Sequence, residues 1–134
     1  LRLPIEPVKG YSITAPARPE APVVSLTDRA EKIVFAHLGD RLRAAAFADL
    51  DGWSPAVNPK RAQQLLALAR HLFPMAADWS QAEPVWAGQR PMTPSGVPLI
   101  GESGVLGLYL NAGHGGLGWT LACGAAKRLA GLMS

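Results

Sequence analysis

Apolar and polar positions alternate over Tyr11-Ser12-Ile13-Thr14-Ala15. That period of two puts the large side chains on one face of a strand, which we place within Leu3–Pro16. Ala15–Pro22 carries Pro16, Pro19 and Pro22 and reads as an extended loop. A short strand is expected at Val23–Leu26. Lys32–Leu38 alternates again, with Ile33, Phe35 and His37 against Val34, Ala36 and Leu38. Gly39-Asp40 marks a hairpin turn, and Arg41–Phe47 returns as the partner strand. Asp28–Ala36 and Ala44–Leu50 also admit a helical reading from their Ala, Glu and Lys. The β-branched Ile33-Val34 and the Gly-Asp turn favour strands.

The period changes at Lys60–Leu72. Leu65, Leu66, Leu68, Ala69 and Leu72 form an apolar stripe, while Lys60, Arg61, Gln63, Gln64 and Arg70 form a wet face. Asn58 suits the cap, Pro59 the first helical position, and Pro74 ends the helix. Ala76–Trp86 is irregular, Glu83–Ala87 leads into a strand, and Gln89–Gly104 reads as a loop with two turns. Val105–Leu110 is apolar and predicts a short buried strand with Tyr109 in the core. The last helix is expected over Leu117–Met133, its small Ala122, Gly124 and Gly131 permitting close packing on a sheet. Together these elements predict an α+β fold. A mostly antiparallel sheet with a covering helix precedes a C-terminal strand–helix unit, and the division falls between residues 104 and 105.

Composition narrows the classes. The 134 residues make one domain or part of one, and 49% hydrophobic content supports a core. The net charge is +3, but the 13 Lys and Arg are scattered, which argues against a nucleic-acid footprint. Cys123 is the single cysteine, so an internal disulfide is excluded. Its helical neighbours Ala122, Gly124 and Ala125 predict a buried, inert thiol suited to a reducing cytoplasm. His37, His71 and His114 have no ligand spacing, so no metal site is expected. Arg2, Glu6 and Lys9 interrupt any signal-peptide-like run. Val105–Ala126 lacks charge, yet its glycines with Asn111 and His114 point to a buried strand–turn–helix and not to a membrane span.

The candidate chemistry centres on Gly113-His114-Gly115-Gly116-Leu117-Gly118-Trp119-Thr120. Glycines let the chain bend and approach another surface closely. The helix that follows directs unpaired N–H groups and a positive dipole end into the turn, a setting for an electron-rich ligand. No Lys precedes Thr120, so this is not a phosphate-gripping loop. Gly113, Gly115 and Gly118 have dinucleotide-fingerprint spacing, but no second strand or ribose-binding acid follows. By itself such a turn is more often a plain connection. Arg90, in Gln89-Arg90-Pro91, offers a planar fork that matches a carboxylate. A pairing with Glu83, Glu102 or a backbone carbonyl is the alternative for it.

Two stretches carry a resemblance: Gly88-Gln89-Arg90-Pro91-Met92-Thr93-Pro94-Ser95-Gly96-Val97-Pro98-Leu99-Ile100-Gly101, and Gly113-His114-Gly115-Gly116-Leu117-Gly118-Trp119-Thr120. Read together, with Leu3–Ser12 and Leu38–Arg41, they resemble the C-terminal part of FAD-dependent D-amino acid oxidoreductases of the D-amino acid oxidase-like superfamily. The similarity is nearest to the small subunit of the bacterial D-amino acid dehydrogenases. It implies that residues 1–104 belong to a substrate domain and 105–134 complete an FAD-binding domain whose N-terminal Gly-rich unit lies outside this chain. It further implies oxidative deamination of D-amino acids by hydride transfer to FAD, with electrons passing to a respiratory acceptor. A cytoplasmic location is expected for this protein, with a peripheral place on the inner face of the bacterial inner membrane as a further implication.

By the same resemblance, Arg90 holds the substrate α-carboxylate. Gly113, His114, Gly115, Gly116, Leu117, Gly118, Trp119 and Thr120 contact FAD, with His114 in cofactor contact and not in catalysis. Tyr11 and His37 are the further candidates for the substrate side, with sheet packing as their alternative. The fragment alone is expected to be inactive, colourless and self-associating. A glycine- or sarcosine-type amine oxidase and a non-catalytic assembly module are the rival readings.

Overall fold

The computed structural model describes all 134 residues, Leu1–Ser134. The elements are β1 (Glu6–Pro16), β2 (Leu26–Asp28), β3 (Ile33–Leu38), β4 (Arg41–Asp49), α1 (Pro59–Leu72), β5 (Trp86–Met92), β6 (Leu99–Glu102), β7 (Tyr109–Ala112) and α2 (Gly118–Met133). Short 3-10 turns lie at Trp79–Gln81 and Gly115–Leu117. One sheet has the order β2-β3-β4-β1-β5, and β6 pairs with β7 in a second. The fold is α+β with mostly antiparallel sheet, as the periodicity predicts.

The chain divides into two compact units. The sheet unit is Lys9–Asp49 with Ser54–Gly88, and the C-terminal unit is Leu1–Val8 and Leu50–Trp53 with Gln89–Ser134. The C-terminal unit therefore takes in residues 89–104, which the sequence reading grouped with the sheet.

In the sheet unit, β1 and β3 both pair antiparallel with β4, and β2 pairs with β3. Tyr11, Ile13 and Ala15 share a buried face with Leu42, Ala44, Ala46, Ile33 and Phe35. Alternation fixes this register, because a one-residue slip would turn the whole set to the other face. The short strand β2 forms at Leu26–Asp28 and not at Val23–Leu26, and it leaves Val23 and Val24 exposed. The helix α1 begins where Asn58 and Pro59 predict. The Asn58 side chain accepts from the Lys60 N–H at 3.0 Å. Leu65 and Ala69 are its buried residues and belong to the same core. Arg61, assigned by pattern to the wet face, instead grips Asp49 with Nε at 2.8 Å and Nη2 at 2.7 Å. It thereby ties α1 to β4 by a bidentate fork. The Asp49 carboxylate raises the Arg61 pKa further, mainly through that hydrogen bond.

The register of β1 on β4 shifts between Lys9 and Tyr11, where β4 carries Phe47 at φ 70°. A non-glycine residue there is strained. The Tyr11 ring meets Phe47 edge-on at 6.0 Å, and the Arg61 guanidinium lies 4.7 Å from the Phe47 ring centre.

The C-terminal unit corrects three expectations. Residues 89–104 are only partly loop: β5 continues to Met92 and β6 forms at Leu99–Glu102, with the expected loop and turn kept over 93–98. Val105–Leu110 is not a buried strand. Gly104 and Gly107 adopt positive φ and fold Ser103–Leu108 into a tight turn that exposes Leu106 fully, so β7 starts only at Tyr109. Tyr109 is half-buried there and not in the core. Cys123 is exposed, because α2 buries only Ala125. A run of small residues marks a helix surface able to pack closely, but does not say against what. No helix is long and apolar enough to cross a membrane.

Candidate functional site

The Gly-rich turn and the strand carrying Arg90 meet inside the C-terminal unit. Met92, the last residue of β5, forms an isolated antiparallel bridge with His114. Strand alternation then puts Arg90 and Met92 on one side of β5. Glycine is required where this strand passes the turn. Gly113 has φ 78°, and a Cβ there would sit 2.6 Å from Thr93 Cγ2. Gly115 has φ 56°, and a Cβ there would overlap the Met92 sulfur. The position of a Gly116 Cβ is 3.5 Å from Arg90 Cδ and 3.8 Å from its Nε. The Arg90 side chain thus lies directly over bare backbone. Met92 and Thr93 are the two residues the sequence reading missed. Their signal was adjacency: they directly follow Arg90 and Pro91, Met92 ending β5 and Thr93 lying just beyond it.

The turn leads directly into the start of α2. Leu117 N–H donates to the His114 carbonyl at 3.1 Å, closing the 3-10 turn that runs into α2. No side chain caps α2, and no acidic residue occupies its first turn. The 3-10 turn runs directly into α2, so the positive end of the helix dipole is directed at the turn. His114 is half-buried, and its Nε2 is sealed without a hydrogen-bond partner. Trp119 is 96% exposed and Leu117 is 61% exposed, so both present large apolar surface beside the turn.

Glu83, one alternative partner for Arg90, is paired with Arg41 at 2.6 Å. In the sheet unit Tyr11 is 1% exposed and part of the core, and its hydroxyl is buried without a partner. His37 is half-buried opposite Leu42 on the same sheet face. Tyr11 is in the row of Ala46 and Ile33, and His37 is in the row of Leu42 and Ala15, four residues along and two strands across. That places their Cα atoms roughly 16 Å apart. The structure gathers Arg90 with the turn, but it does not bring Tyr11 and His37 together.

The chain as a whole is similar to known proteins. Residues 1–132 match the FAD dependent oxidoreductase family. The chain belongs to that family. It is 51% identical over 136 residues to a protein of Paramagnetospirillum magneticum described as D-amino acid dehydrogenase, covering 100% of this chain and 32% of that protein. The chain thus spans about a third of the length of the curated relatives it matches. Among solved structures, glycine oxidase from Geobacillus kaustophilus aligns with a TM-score of 0.78 at 27% identity, over 98% of this chain and 36% of that one. An iminodiacetate oxidase from Chelativorans aligns with a TM-score of 0.82 at 23% identity, over 99% and 37%, and shows the shared fold.

Proposed function

We propose that this chain is the C-terminal portion of an FAD-dependent dehydrogenase that converts D-amino acids to 2-oxo acids and ammonia. FAD held here would supply a two-electron acceptor for the hydride of the substrate Cα, and hydrolysis of the resulting imino acid would give the 2-oxo acid and ammonia. Arg90 binds the substrate carboxylate through its guanidinium fork and so fixes the Cα. The observation that carries this reading is the Arg90 side chain lying over Gly116 with no side chain between. Gly113, His114, Gly115, Gly116 and Leu117 line the cofactor side. Gly118, Trp119 and Thr120 bring the helix start, whose N–H groups favour negative charge placed beside them. Tyr11 shapes the sheet through its contact with Phe47, His37 flanks it, and neither moves a proton.

The 51% identity to a protein described as D-amino acid dehydrogenase supports the substrate class. The likeness to glycine oxidase supports the runner-up, an amine oxidase acting on glycine or sarcosine. Electrons then go to a respiratory acceptor, with the protein placed peripherally on the inner face of the bacterial inner membrane. One experiment sorts these readings: anaerobic mixing of the full-length flavoprotein with D-alanine, L-alanine, glycine and sarcosine. Flavin bleaching by D-alanine alone, reversed faster by a quinone than by oxygen, is the expected result. Bleaching only by glycine or sarcosine would transfer the protein to the rival class, and no bleaching would leave an assembly module.

The isolated chain should also self-associate. Trp119, Leu132 and Met133 on α2 are all at least half exposed, and such apolar surface drives association. Light scattering across concentrations should give a rising mass; a constant monomer mass would refute it.

A further inference from the structure

The core face of the sheet is spoken for by α1. The opposite face, within the sheet unit, carries Ser12 and Thr14 of β1, Arg41, Arg43 and Ala45 of β4, and Val34 and Ala36 of β3. Its two arginines differ. Arg41 is neutralised by Glu83 at 2.6 Å. Arg43 has no carboxylate partner. Its Nε donates to Thr14 Oγ1 at 3.1 Å, and its guanidinium carbon lies 5.9 Å from the Trp86 ring centre. Thr14 is 5% exposed, so the anchoring hydroxyl is fixed in the sheet.

One edge of the Arg43 guanidinium is therefore held by the protein. The terminal nitrogens make no protein hydrogen bond, and they are not among the sealed polar atoms, so they face solvent. The Trp86 ring is itself held in place, lying so close over Gly88 that a Cβ there would stand 2.8 Å from its Cζ3. A guanidinium restrained on Nε and backed by an aromatic ring loses little freedom on binding, and its open end presents two parallel N–H groups. One rung away, about 7 Å along β1, Ser12 Oγ is buried without a hydrogen-bond partner.

We propose that this face is a binding site for a small carboxylate, with Arg43 as its anchor, Thr14 as the residue that orients Arg43, and Trp86 as the wall. The charge count selects the ligand class. One uncompensated cation among Ala36, Ala45 and Ser12 balances a single carboxylate. A phosphate would call for more donors than this face supplies. The site is distinct in residues from the Arg90 turn, and its existence does not depend on the oxidation proposed above.

The test uses the full-length protein titrated with succinate at constant ionic strength, by calorimetry and by tryptophan fluorescence. Saturable binding is expected, together with a fluorescence change. Arg43→Gln should weaken binding at least tenfold, and Arg43→Lys should weaken it as well, because an ammonium lacks the fork. Trp86→Phe should keep the binding heat while removing most of the fluorescence change, which guards against a merely misfolded Arg43 variant. Arg90→Met should remove only succinate held at the glycine turn, read by the flavin spectrum, and leave the binding reported by tryptophan fluorescence intact. Equal affinity in wild type and Arg43→Gln would overturn the proposal. So would binding that is lost in Arg90→Met and kept in Arg43→Gln, since the carboxylate would then sit at the other arginine. No binding to the wild type would overturn it too.

Discussion

Arg90→Met in the full-length enzyme should lower kcat/KM for D-amino acids by roughly 30- to 5,000-fold while leaving FAD bound. Methionine keeps most of the length and packing of the arginine stem but removes the charge and the fork. Losing one member of a desolvated charge pair costs about 2–5 kcal/mol, and each 1.4 kcal/mol or so is tenfold in rate. The loss should not be confined to KM. The carboxylate contact also sets where the Cα lies, so misplacement lowers kcat as well. Arg90→Lys should recover part of the binding and little of kcat, because a point charge attracts the carboxylate without aligning it. Unchanged flavin content separates a failed substrate contact from a failed fold. If kcat/KM changed by less than threefold with flavin retained, Arg90 would be a surface ion-pair residue, and the assembly-module reading would gain.

The second large effect is expected from Gly113→Ala. Two costs coincide at this position. The backbone is at φ 78°, which an L side chain rarely adopts, and the new Cβ would sit 2.6 Å from Thr93 Cγ2. Thr93 cannot step aside easily. It is β-branched and 6% exposed, and its hydroxyl is tied to the Val97 carbonyl at 2.9 Å. Backbone strain and overpacking each cost about 1–3 kcal/mol, so the variant should lose about 2 kcal/mol or more of stability. Gly115→Ala makes the informative comparison. Its clash is with the end of the Met92 side chain, which is unbranched and can swing away. Thermal unfolding of the two variants should therefore rank Gly113→Ala as the less stable. The reverse order would mean that the turn is not held against Thr93 as described.

Much of the sheet unit was legible from period and punctuation. Alternation at Ile33–Leu38 and the Gly39-Asp40 turn gave the β3–β4 hairpin. Asn58 and Pro59 gave the helix start. What pattern could not supply were the effects of long-range partners. Arg61 looks like any solvated helix residue until β4 brings Asp49 beside it. Tyr11 reads as a plausible site residue, yet the sheet seals it at 1% exposure. Val105–Leu110 has the composition of a strand, but Gly104 and Gly107 bend it into a turn before pairing can begin. Cys123 shows the same limit: its small neighbours promise close packing, while α2 in this chain buries only Ala125.

The candidate site was legible for a different reason. Gly113 to Gly118 and Arg90 are chemically unusual, and they announced themselves through a resemblance and not through periodicity. Their juxtaposition, with Arg90 Cδ 3.5 Å from the Gly116 Cβ position, needed coordinates. So did the part played by Met92 and Thr93, which decide where glycine is obligatory.

The most direct measurement is a titration of the full-length flavoprotein with acetate, a carboxylate that cannot be oxidised, followed by the flavin absorption spectrum. The spectrum should shift and saturate in the wild type and show no saturable shift in Arg90→Met with its flavin still bound. The same shift with the same affinity in Arg90→Met would contradict a carboxylate held by Arg90 beside the glycine turn.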